Sequence, residues 1–159
     1  MHPNAELIAR FYRALGERHW AGMAGCYHPK IRFTDEVFDL SGSNASMMWR
    51  MLCTNGRDLR VTYHDVSADA AKGRALWEAR YTFSATGRAV HNRIEANFEF
   101  QDGLIVRHVD RFDFWRWSSQ ALGVPGWLLG WSNLLHGKVR EKAARSLAVF
   151  AESVASGRV

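Results

Sequence analysis

The sequence predicts an α+β protein in which an antiparallel sheet curls around helices. In several segments apolar and polar residues alternate strictly, which is typical of strands with one buried face. Short turns such as Asp102-Gly103 join these segments, because both residues tolerate positive φ angles. Apolar residues at helical spacing come before and after them. The predicted order is therefore helix, helix, strand, helix and four strands, followed by further helices.

Composition limits the possible classes of protein. The 159 residues suffice for one domain, and an apolar content of 47% indicates a folded core. The formal net charge of +5 is concentrated in residues 114–159, which hold six Lys/Arg and two Asp/Glu. There is no stripe of cations interleaved with aromatic residues, so no nucleic-acid partner is expected. Cys26 and Cys53 lie in apolar segments and are predicted to be buried thiols. The N-terminus does not resemble a signal peptide, so the expected location is cytoplasmic.

The N-terminal part of the chain is predicted to be mainly helical. Asn4 is the expected N-cap of a first helix, and Gly16 is its expected end. The apolar stripe of this helix includes Leu7, Phe11 and Leu15. The elements predicted next are a short helix over 20–27, a strand over 31–34, a loop over 39–44 and a helix over 45–53.

The strands that follow are predicted to line a pocket. They are expected over 59–64, 75–83, 91–100 and 104–112. Because side chains alternate between the two faces of a strand, Trp77, Tyr81 and Asn92 should face inward. By the same rule Arg93 and Glu95 should face outward.

The last strand places two ionisable groups on the inward face. The predicted inward set is Leu104, Val106, His108, Asp110 and Phe112, and the outward set is Ile105, Arg107, Val109 and Arg111. A strand face that is apolar at one end and ionisable at the other suggests the floor of a pocket closed at one end.

Three of the ionisable residues are candidate acid–base groups. Asp110 is the strongest candidate, because an inward aspartate is costly unless it is paired, and an apolar cavity would raise its pKa toward neutrality. His108 could orient Asp110 or act as a second acid–base group, and both residues could instead form a structural pair in the core. Asp35 follows a predicted strand and suits either the rim of a pocket or the cap of a loop.

After residue 114 the sequence changes character. Residues 117–137 contain no Asp, Glu, Lys or Arg, and glycine and proline interrupt them, so a single spanning helix is not expected. We expect short helical turns packed on the sheet or across a subunit interface, with Trp127 and Trp131 largely buried. The alternative is contact with a membrane surface through Trp and Leu, supported by the cations that begin at Lys138. A final helix is predicted over 138–153. Its apolar stripe consists of Val139, Ala143, Leu147, Phe150 and Val154.

Three segments of the chain carry a family resemblance. They are ELIARFYRALGERHWAGM at 6–23, YHPKIRFTDE at 27–36 and FEFQDGLIVRHVDRFD at 98–113. Together with the order of elements they resemble the nuclear transport factor 2-like superfamily, particularly its SnoaL-like members. The resemblance implies a cone over residues 1–114, formed by a curved antiparallel sheet around the N-terminal helices, with a pocket at its open end and often a homodimer. Residues 115–159 are expected to form a C-terminal helical extension packed on the same domain.

Relatives within this superfamily imply different chemistries. By resemblance to limonene-epoxide hydrolases, Asp110 falls on a pocket aspartate, but Ala79 and Tyr81 occupy the positions of the Arg-x-Asp pair that activates water. By resemblance to ketosteroid isomerases, Asp35 falls near the proton-shuttling aspartate, whereas Phe11 falls at the position of the oxyanion-hole tyrosine. SnoaL-type polyketide cyclases need only one acid–base carboxylate in an apolar cavity, and the sequence meets that requirement.

The sequence therefore predicts a protein that binds an apolar, oxygen-bearing small molecule. If it is an enzyme, Asp110 with His108 or Asp35 would move protons in an isomerisation, cyclisation or hydration. The predicted substrate contacts are Tyr81, Trp77, Asn92 and Phe11. The alternative is a non-catalytic ligand-binding or protein-interaction domain with a vestigial pocket. The sequence has neither a glycine-rich phosphate loop nor a complete set of metal ligands, so no cofactor and no metal are expected.

Overall fold

The helices and strands follow the order expected from the sequence. The computed structural model describes residues 1–159. The helices are α1 (Pro3–Gly16), α2 (Trp20–Ala24), α3 (Ser43–Asn55), α4 (Phe114–Leu122), α5 (Val124–Leu129) and α6 (Asn133–Ala155). The strands are β1 (Tyr27–Thr34), β2 (Asp39–Ser41), β3 (Arg60–Ala68), β4 (Lys72–Phe83), β5 (Arg88–Gln101) and β6 (Leu104–Arg111).

All six strands belong to one curved sheet. Their spatial order is β2-β1-β6-β5-β4-β3. Strands β3 to β6 pair in antiparallel fashion, as do β1 and β2, whereas β1 and β6 pair in parallel. The predicted α+β class, with a curved sheet around the N-terminal helices, is confirmed.

The inward face of the sheet and helices α1 to α3 enclose the main core. Trp77 on β4 and Ile94 on β5 are buried directly opposite each other. Arg93 and Glu95 are exposed on the outer face, as the alternation predicts. The free thiols of Cys26 and Cys53 are buried, as expected from their apolar surroundings; they are the only two cysteines in the chain.

A β-bulge corrects the predicted faces of β6. Glu99 pairs with Arg107, but the next residue of β5, Phe100, pairs with Ile105, so Val106 is the extra residue. The inserted residue shifts the alternation by one position. As a result Ile105 is fully buried rather than outward-facing, and His108 and Asp110 keep their predicted inward orientation.

The N-terminal boundaries also differ from the prediction. His2 rather than Asn4 caps α1, because Pro3 fits the first helical position and the His2 Nδ1 atom accepts a hydrogen bond from the Asn4 N–H. The Asn4 side chain instead donates to the Asp69 carbonyl at 2.9 Å, which ties α1 to the turn between β3 and β4. The helix predicted over 20–27 ends at residue 24, because Tyr27 already pairs with Ile105 as the first residue of β1.

Two further segments gain regular structure. The loop predicted over 39–44 contains strand β2, which pairs with the end of β1, and the first residues of α3. The final helix starts at residue 133 rather than 138, because the Ser132 hydroxyl accepts a hydrogen bond from the Leu135 N–H and caps it. Leu147 and Phe150 of this helix are buried in the main core.

Helix α4 is fixed to the start of β5 by side-chain hydrogen bonds. The Arg88 guanidinium donates to the Gln120 carbonyl at 2.8 Å, and the Gln120 side-chain oxygen accepts from the His91 N–H at 2.7 Å. The Thr86 hydroxyl donates to the Ala121 carbonyl. Helix α4 therefore covers the end of the sheet at which β4 and β5 turn.

The predicted burial of Trp127 in α5, and of Trp131 just after it, is wrong. Trp127 is 58% exposed and Trp131 is 77% exposed. The buried residues of this segment are Gly126 and Gly130, whose backbone lies against Ser118 of α4. Close backbone packing leaves the large side chains on the outside. No helix in the chain is both long enough and apolar enough to cross a membrane.

We predict that a methyl group at residue 126 destabilises the C-terminal helices. The Cβ atom of a Gly126→Ala variant would overlap the carbonyl oxygen of Ser118. Overpacking of this kind should lower the free energy of unfolding by about 1–3 kcal/mol, measured by urea denaturation. Gly137→Ala is the matched control, because nothing lies within 4 Å of its added Cβ inside α6. It should raise stability by about 1 kcal/mol, and equal effects at the two glycines would contradict the packing described here.

Candidate active site

The centre of the candidate site is the inward face of β6. His108 is 0% exposed and Asp110 is 3% exposed, although both side chains are ionisable. The His108 Nε2 atom lies 2.9 Å from Asp110 Oδ1. Burial of an aspartate in an apolar core is tolerated only with hydrogen-bond donors around it, so these donors define the site.

The donors form a hydrogen-bonded chain across three other elements. The Trp49 indole N–H of α3 donates to the Tyr27 hydroxyl of β1 at 2.9 Å, and that hydroxyl lies 2.8 Å from His108 Nδ1. The Tyr27 proton has no other acceptor in the structure, so it is donated to Nδ1. His108 then carries its own proton on Nε2 and donates it to Asp110. The Trp77 indole of β4 donates to the same Asp110 oxygen, at 3.4 Å.

The chain leaves Asp110 with an asymmetric carboxylate. Oδ1 accepts both hydrogen bonds, whereas Oδ2 accepts none from the protein. A carboxylate oxygen has two lone pairs for hydrogen bonding, so Oδ2 retains its full capacity to accept a proton or a hydrogen bond. The hydrogen bonds to Oδ1 therefore fix the orientation of the Asp110 carboxylate, and Oδ2 remains available to accept a proton or a hydrogen bond from a bound molecule.

The alignment with known families did not identify Tyr27 and Trp49 as site residues. Alternation could not place Tyr27, because the pairing of β1 is irregular between Tyr27 and Arg32, and Pro29, which shares the odd parity of Ile31, is exposed. Trp49 lies on α3, and no local pattern distinguishes its indole from the other apolar groups of that helix.

A second tyrosine, Tyr12 of α1, is also part of this region. Its hydroxyl is the one buried side-chain polar atom without a hydrogen-bond partner, and the residue is 1% exposed. Burial raises the pKa of Tyr12 well above its ordinary value, and the nearby Asp110 carboxylate raises it further. The neutral hydroxyl is therefore a donor with a free proton close to Asp110.

The first helix presents Tyr12 and Phe11 to different parts of the core. The family comparison placed Phe11 at the position of an oxyanion-hole tyrosine. In the structure Phe11 packs edge-on against His108, with ring centres 5.4 Å apart. Tyr12 stacks on Tyr63 and lies 5.5 Å from the Trp77 ring. The tyrosine of α1 that reaches the site is thus one residue later than the position implied by the resemblance to ketosteroid isomerases.

Asp35 lies in the turn between β1 and β2. Its Oδ1 atom accepts hydrogen bonds from the backbone N–H groups of Val37 and Phe38, at 2.7 and 2.6 Å. Burial nevertheless raises the pKa of Asp35 to about 6, with these two hydrogen bonds acting in the opposite direction. Asp110 raises this pKa and His108 lowers it, so the three groups interact without a direct hydrogen bond.

Tyr81 and Asn92 lie away from the His108–Asp110 pair. The Tyr81 hydroxyl accepts a hydrogen bond from the Trp117 indole of α4 at 2.8 Å, and burial raises the pKa of Tyr81. Asn92 is half-buried opposite Ala79, and its side chain makes no hydrogen bond with the protein. Of the predicted substrate contacts, Trp77 and Phe11 touch the central pair, whereas Tyr81 faces the end of the cone.

Aromatic rings fill the space around His108. The rings with centres within 6.2 Å of the imidazole belong to Phe98, Phe33, Phe11, Tyr27 and Trp49. The nearest is Phe98, at 4.5 Å. Two surface hollows of about 460 and 450 Å³ lie elsewhere, and neither includes His108 or Asp110.

The wide end of the cone is covered by the C-terminal helices. Phe114 and Trp117 of α4 are buried against Val90 of β5. His136 of α6 stacks on Phe114 with ring centres 4.0 Å apart, and its Nε2 atom contacts the carbonyl oxygen of Glu36. The turn that carries Asp35 is thereby joined to α6, and the candidate site is enclosed at this end.

The chain belongs to the SnoaL-like domain family. The family model matches residues 8–108, which extend from within α1 to the middle of β6. With its six-stranded curved sheet, the protein is a member of the nuclear transport factor 2-like superfamily. No match was found among the curated proteins.

Solved structures confirm the fold at low sequence identity. A nuclear transport factor 2-like protein of unknown function from Burkholderia pseudomallei is 20% identical, with a TM-score of 0.62 over 71% of this chain and 92% of the other. An epoxide hydrolase resembling limonene-epoxide hydrolase, from Mycobacterium tuberculosis, is 18% identical, with a TM-score of 0.63 over 80% and 96%. A candidate SnoaL-like polyketide cyclase from Jannaschia sp. is 13% identical, with a TM-score of 0.67 over 77% and 93%.

We predict opposite effects when the hydroxyl is removed from the two buried tyrosines. Tyr27→Phe leaves the Trp49 donor and the His108 acceptor without partners, so it should lower the free energy of unfolding by about 1–3 kcal/mol. Tyr12→Phe removes a hydroxyl that has no partner, so stability should stay the same or rise slightly. Urea denaturation of the two variants measures the difference. A similar loss at both positions would mean that the Tyr12 hydroxyl is hydrogen-bonded in solution.

We also predict that the contribution of Asp35 to stability falls between about pH 4 and pH 6. The folded pKa of about 6 exceeds the ordinary value of 3.8, so the folded state holds its proton where the unfolded chain releases it. A rise in pH across this range therefore favours unfolding, and the effect is constant above it. Asp35→Asn should remove this part of the pH dependence while retaining the acceptor for Val37 and Phe38. Carbon-13 NMR of the carboxyl group measures the pKa directly, and titration near 4 would contradict the prediction.

Proposed function

We propose that the protein binds an apolar, oxygen-bearing small molecule in the cone and catalyses a proton transfer on it with Asp110. The isomerisation or cyclisation of a carbonyl compound is the reaction class that fits best. The observation that carries this proposal is the buried hydrogen-bonded chain through Tyr27 and His108, which ends on one oxygen of Asp110 and leaves the other free.

Asp110 has the position of a general base in this proposal. Its Oδ2 atom takes a proton from the carbon next to the substrate carbonyl and later returns it to another atom of the same molecule. His108 donates to Oδ1 and fixes the orientation of the carboxylate. The apolar rings around the pair exclude water, which strengthens each of these interactions.

The Tyr12 hydroxyl would bind the carbonyl oxygen of the substrate. Loss of the carbon-bound proton places negative charge on that oxygen, and a neutral O–H donor stabilises it as the charge develops. A donor whose proton has no partner in the unliganded protein is available for this role without breaking a hydrogen bond. Tyr12 thus supplies the electrophilic group that the sequence comparison did not find.

Asp35 is the second carboxyl group of the proposed site. With a pKa of about 6 it changes protonation close to neutral pH, which suits transfer of a proton to or from a bound molecule. It lies in the turn that closes the wide end of the cone, beside Glu36 and its contact with His136. A substrate would reach Asp110 by separating this turn from α4 and α6.

The family membership supports this class of function without naming a substrate. Proteins of similar fold are described as candidate polyketide cyclases and as an epoxide hydrolase, and both classes act on small organic molecules. The predicted homodimer belongs to the same proposal. The outer face of the sheet, where Glu78 is hydrogen-bonded to His91 and forms an ion pair with Arg93, is the surface that we expect it to use.

A non-catalytic binding or interaction domain is the second candidate function. The observation that favours it is the filling of the cone, since His108 is fully buried among five aromatic rings. In that case the hydrogen-bonded chain would stabilise the fold and the pocket would be vestigial.

Exchange of carbon-bound protons tests the catalytic proposal before the natural substrate is known. Apolar cyclic ketones such as cyclohexanone and α-tetralone are incubated in D₂O with the protein, and proton NMR follows loss of the signals next to the carbonyl. The wild-type protein should accelerate exchange, and Asp110→Asn should reduce that acceleration by about 100-fold or more. Asp102→Asn is the matched control, because Asp102 is an exposed aspartate in the β5–β6 turn.

The two candidate functions give different outcomes. Acceleration that persists in Asp110→Asn would rule out this aspartate as the base. A wild-type protein that accelerates exchange of no ketone, but melts at higher temperature in the presence of one, would favour the binding function.

A further inference from the structure

In helix α5 and the residues after it, the large apolar side chains are exposed and the glycines are buried. The large apolar residues that point outward are Val124 (68% exposed), Trp127 (58%), Leu128 (52%), Leu129 (49%), Trp131 (77%) and Leu134 (69%). We call this set the α5 surface. A helix of a soluble domain normally buries such residues and exposes its small or polar ones. Large apolar side chains that are exposed together in one short segment mark a site of interaction.

The packing of α5 on α4 keeps this surface outward. Gly126 of α5 and Gly130, which directly follows the helix, are four residues apart, and both are buried against α4. A Cβ atom at either glycine would overlap Ser118 of α4. Only glycine permits this close backbone approach, so the segment cannot rotate to bury its tryptophans while the contact with α4 is kept. The exposure of the α5 surface is thus a consequence of specific packing.

The backbone of α5 is suited to surroundings with little water. The last carbonyl groups of a helix have no partner within the helix and usually bind water. Here the Trp127 carbonyl accepts from the Trp115 indole at 2.9 Å, and the Leu128 carbonyl accepts from the Trp131 indole at 2.8 Å. The Leu129 carbonyl accepts from the Ser132 hydroxyl at 2.7 Å. These three groups therefore need no water when the surface is covered.

The charged side chains of residues 114–140 are all cationic, and the one acidic side chain within ion-pair distance of a basic side chain of this segment is Glu36, whose carboxylate lies 3.9 Å from His136. Residues 114–140 contain no Asp or Glu, and their charged residues are Arg116, Lys138 and Arg140. All three are exposed, and the exposed Lys142 and Arg145 follow on α6. The first acid after Asp113 is Glu141. An apolar surface bordered by cations is complementary to a layer with an apolar interior and anionic headgroups.

We propose that the α5 surface docks the protein on an anionic lipid bilayer. Trp127, Trp131 and the neighbouring leucines enter the interfacial region, and Lys138 and Lys142 contact the headgroups. Tryptophan is favoured at this depth because its ring is apolar and its N–H is polar. A short helix that lies on the surface, with cations beside it, requires no spanning segment.

A second copy of this chain is a poorer partner for the same surface. A symmetric contact would bring together two copies of a segment whose charged residues, within 114–140, are all cations. No acidic residue within 114–140 is available to pair with them. Like charges brought together at an interface oppose association, whereas an anionic bilayer neutralises them.

Binding of the full-length protein to vesicles tests this proposal. The protein is sedimented with vesicles of phosphatidylcholine that contain phosphatidylglycerol, and with vesicles of phosphatidylcholine alone. We expect binding to the anionic vesicles, with a blue shift of tryptophan emission, and much weaker binding to the neutral ones. High salt should weaken the binding, because it screens the attraction of cations to the headgroups.

Substitutions separate the apolar and charged contributions. The double variant Trp127→Ser with Trp131→Ser should lower the vesicle partition coefficient at least tenfold. Each of Lys138→Gln and Lys142→Gln should lower it about fivefold. Leu52→Ser is the matched control, because this leucine of α3 is 39% exposed outside the α5 surface and the variant should bind like the wild type. Circular dichroism and thermal unfolding verify that each variant is folded.

Three outcomes would overturn the proposal. The first is absence of binding to anionic vesicles, and the second is equal binding by the double variant and the wild type. The third is a dimer in analytical ultracentrifugation that the double variant alone abolishes, since the α5 surface would then be covered by a second copy. None of these outcomes bears on Asp110, so the proton-exchange experiment remains independent.

Discussion

The position of Asp110 is the constraint on which the interior of this protein depends. A carboxylate inside an apolar core is stable only when enough hydrogen-bond donors reach it. Here the donors come from different parts of the chain: His108 is on the same strand, Trp77 on β4, and Tyr27 and Trp49 support His108 from β1 and α3. The hydrogen bonds that stabilise this one buried charge therefore hold four elements, β1, β4, β6 and α3, in fixed positions relative to one another. This arrangement explains why the polar groups of the cone form a single chain surrounded by aromatic rings.

Two polar groups in this region have unused hydrogen-bonding capacity, and these groups are the ones that could take part in chemistry. Asp110 keeps one oxygen without a donor, and Tyr12 keeps one proton without an acceptor. The Tyr12 hydroxyl is fully buried, and buried polar groups without partners are rare, because each costs free energy that a purely structural core would avoid. A bound carbonyl compound would satisfy Tyr12 through its oxygen, and its acidic C–H group would meet the free oxygen of Asp110. The unpartnered Tyr12 hydroxyl and the Asp110 oxygen that accepts no hydrogen bond are thus the groups through which the proposed substrate would bind.

Much of the fold follows from the sequence, because alternation and turn residues act locally. Alternation placed Trp77, His108 and Asp110 inward, but it failed at Ile105, since counting by twos cannot detect the extra residue of a bulge. The site was harder to predict because its members are far apart in the chain. Tyr12 belongs to the apolar stripe of α1, and only the folded structure reveals that its hydroxyl lacks a partner. The α5 surface was predicted wrongly, because large apolar residues were assumed to be buried, whereas glycines occupy the inner side.

The C-terminal helices relate the α5 surface to the candidate active site. Ser118 of α4 is in contact with the glycines of α5, and the preceding residue, Trp117, donates to Tyr81 at the wide end of the cone. Backbone packed without an intervening side chain leaves little freedom between α4 and α5. A displacement of α5 relative to the sheet must therefore move α4 as well, and with it the cover over the cone. Separation of α4 from the sheet would break the Trp117–Tyr81 hydrogen bond and uncover this end of the cone. If the α5 surface docks on a bilayer and the cone binds an apolar ligand, as proposed, a ligand dissolved in the bilayer would lie next to the end of the cone at which it would enter.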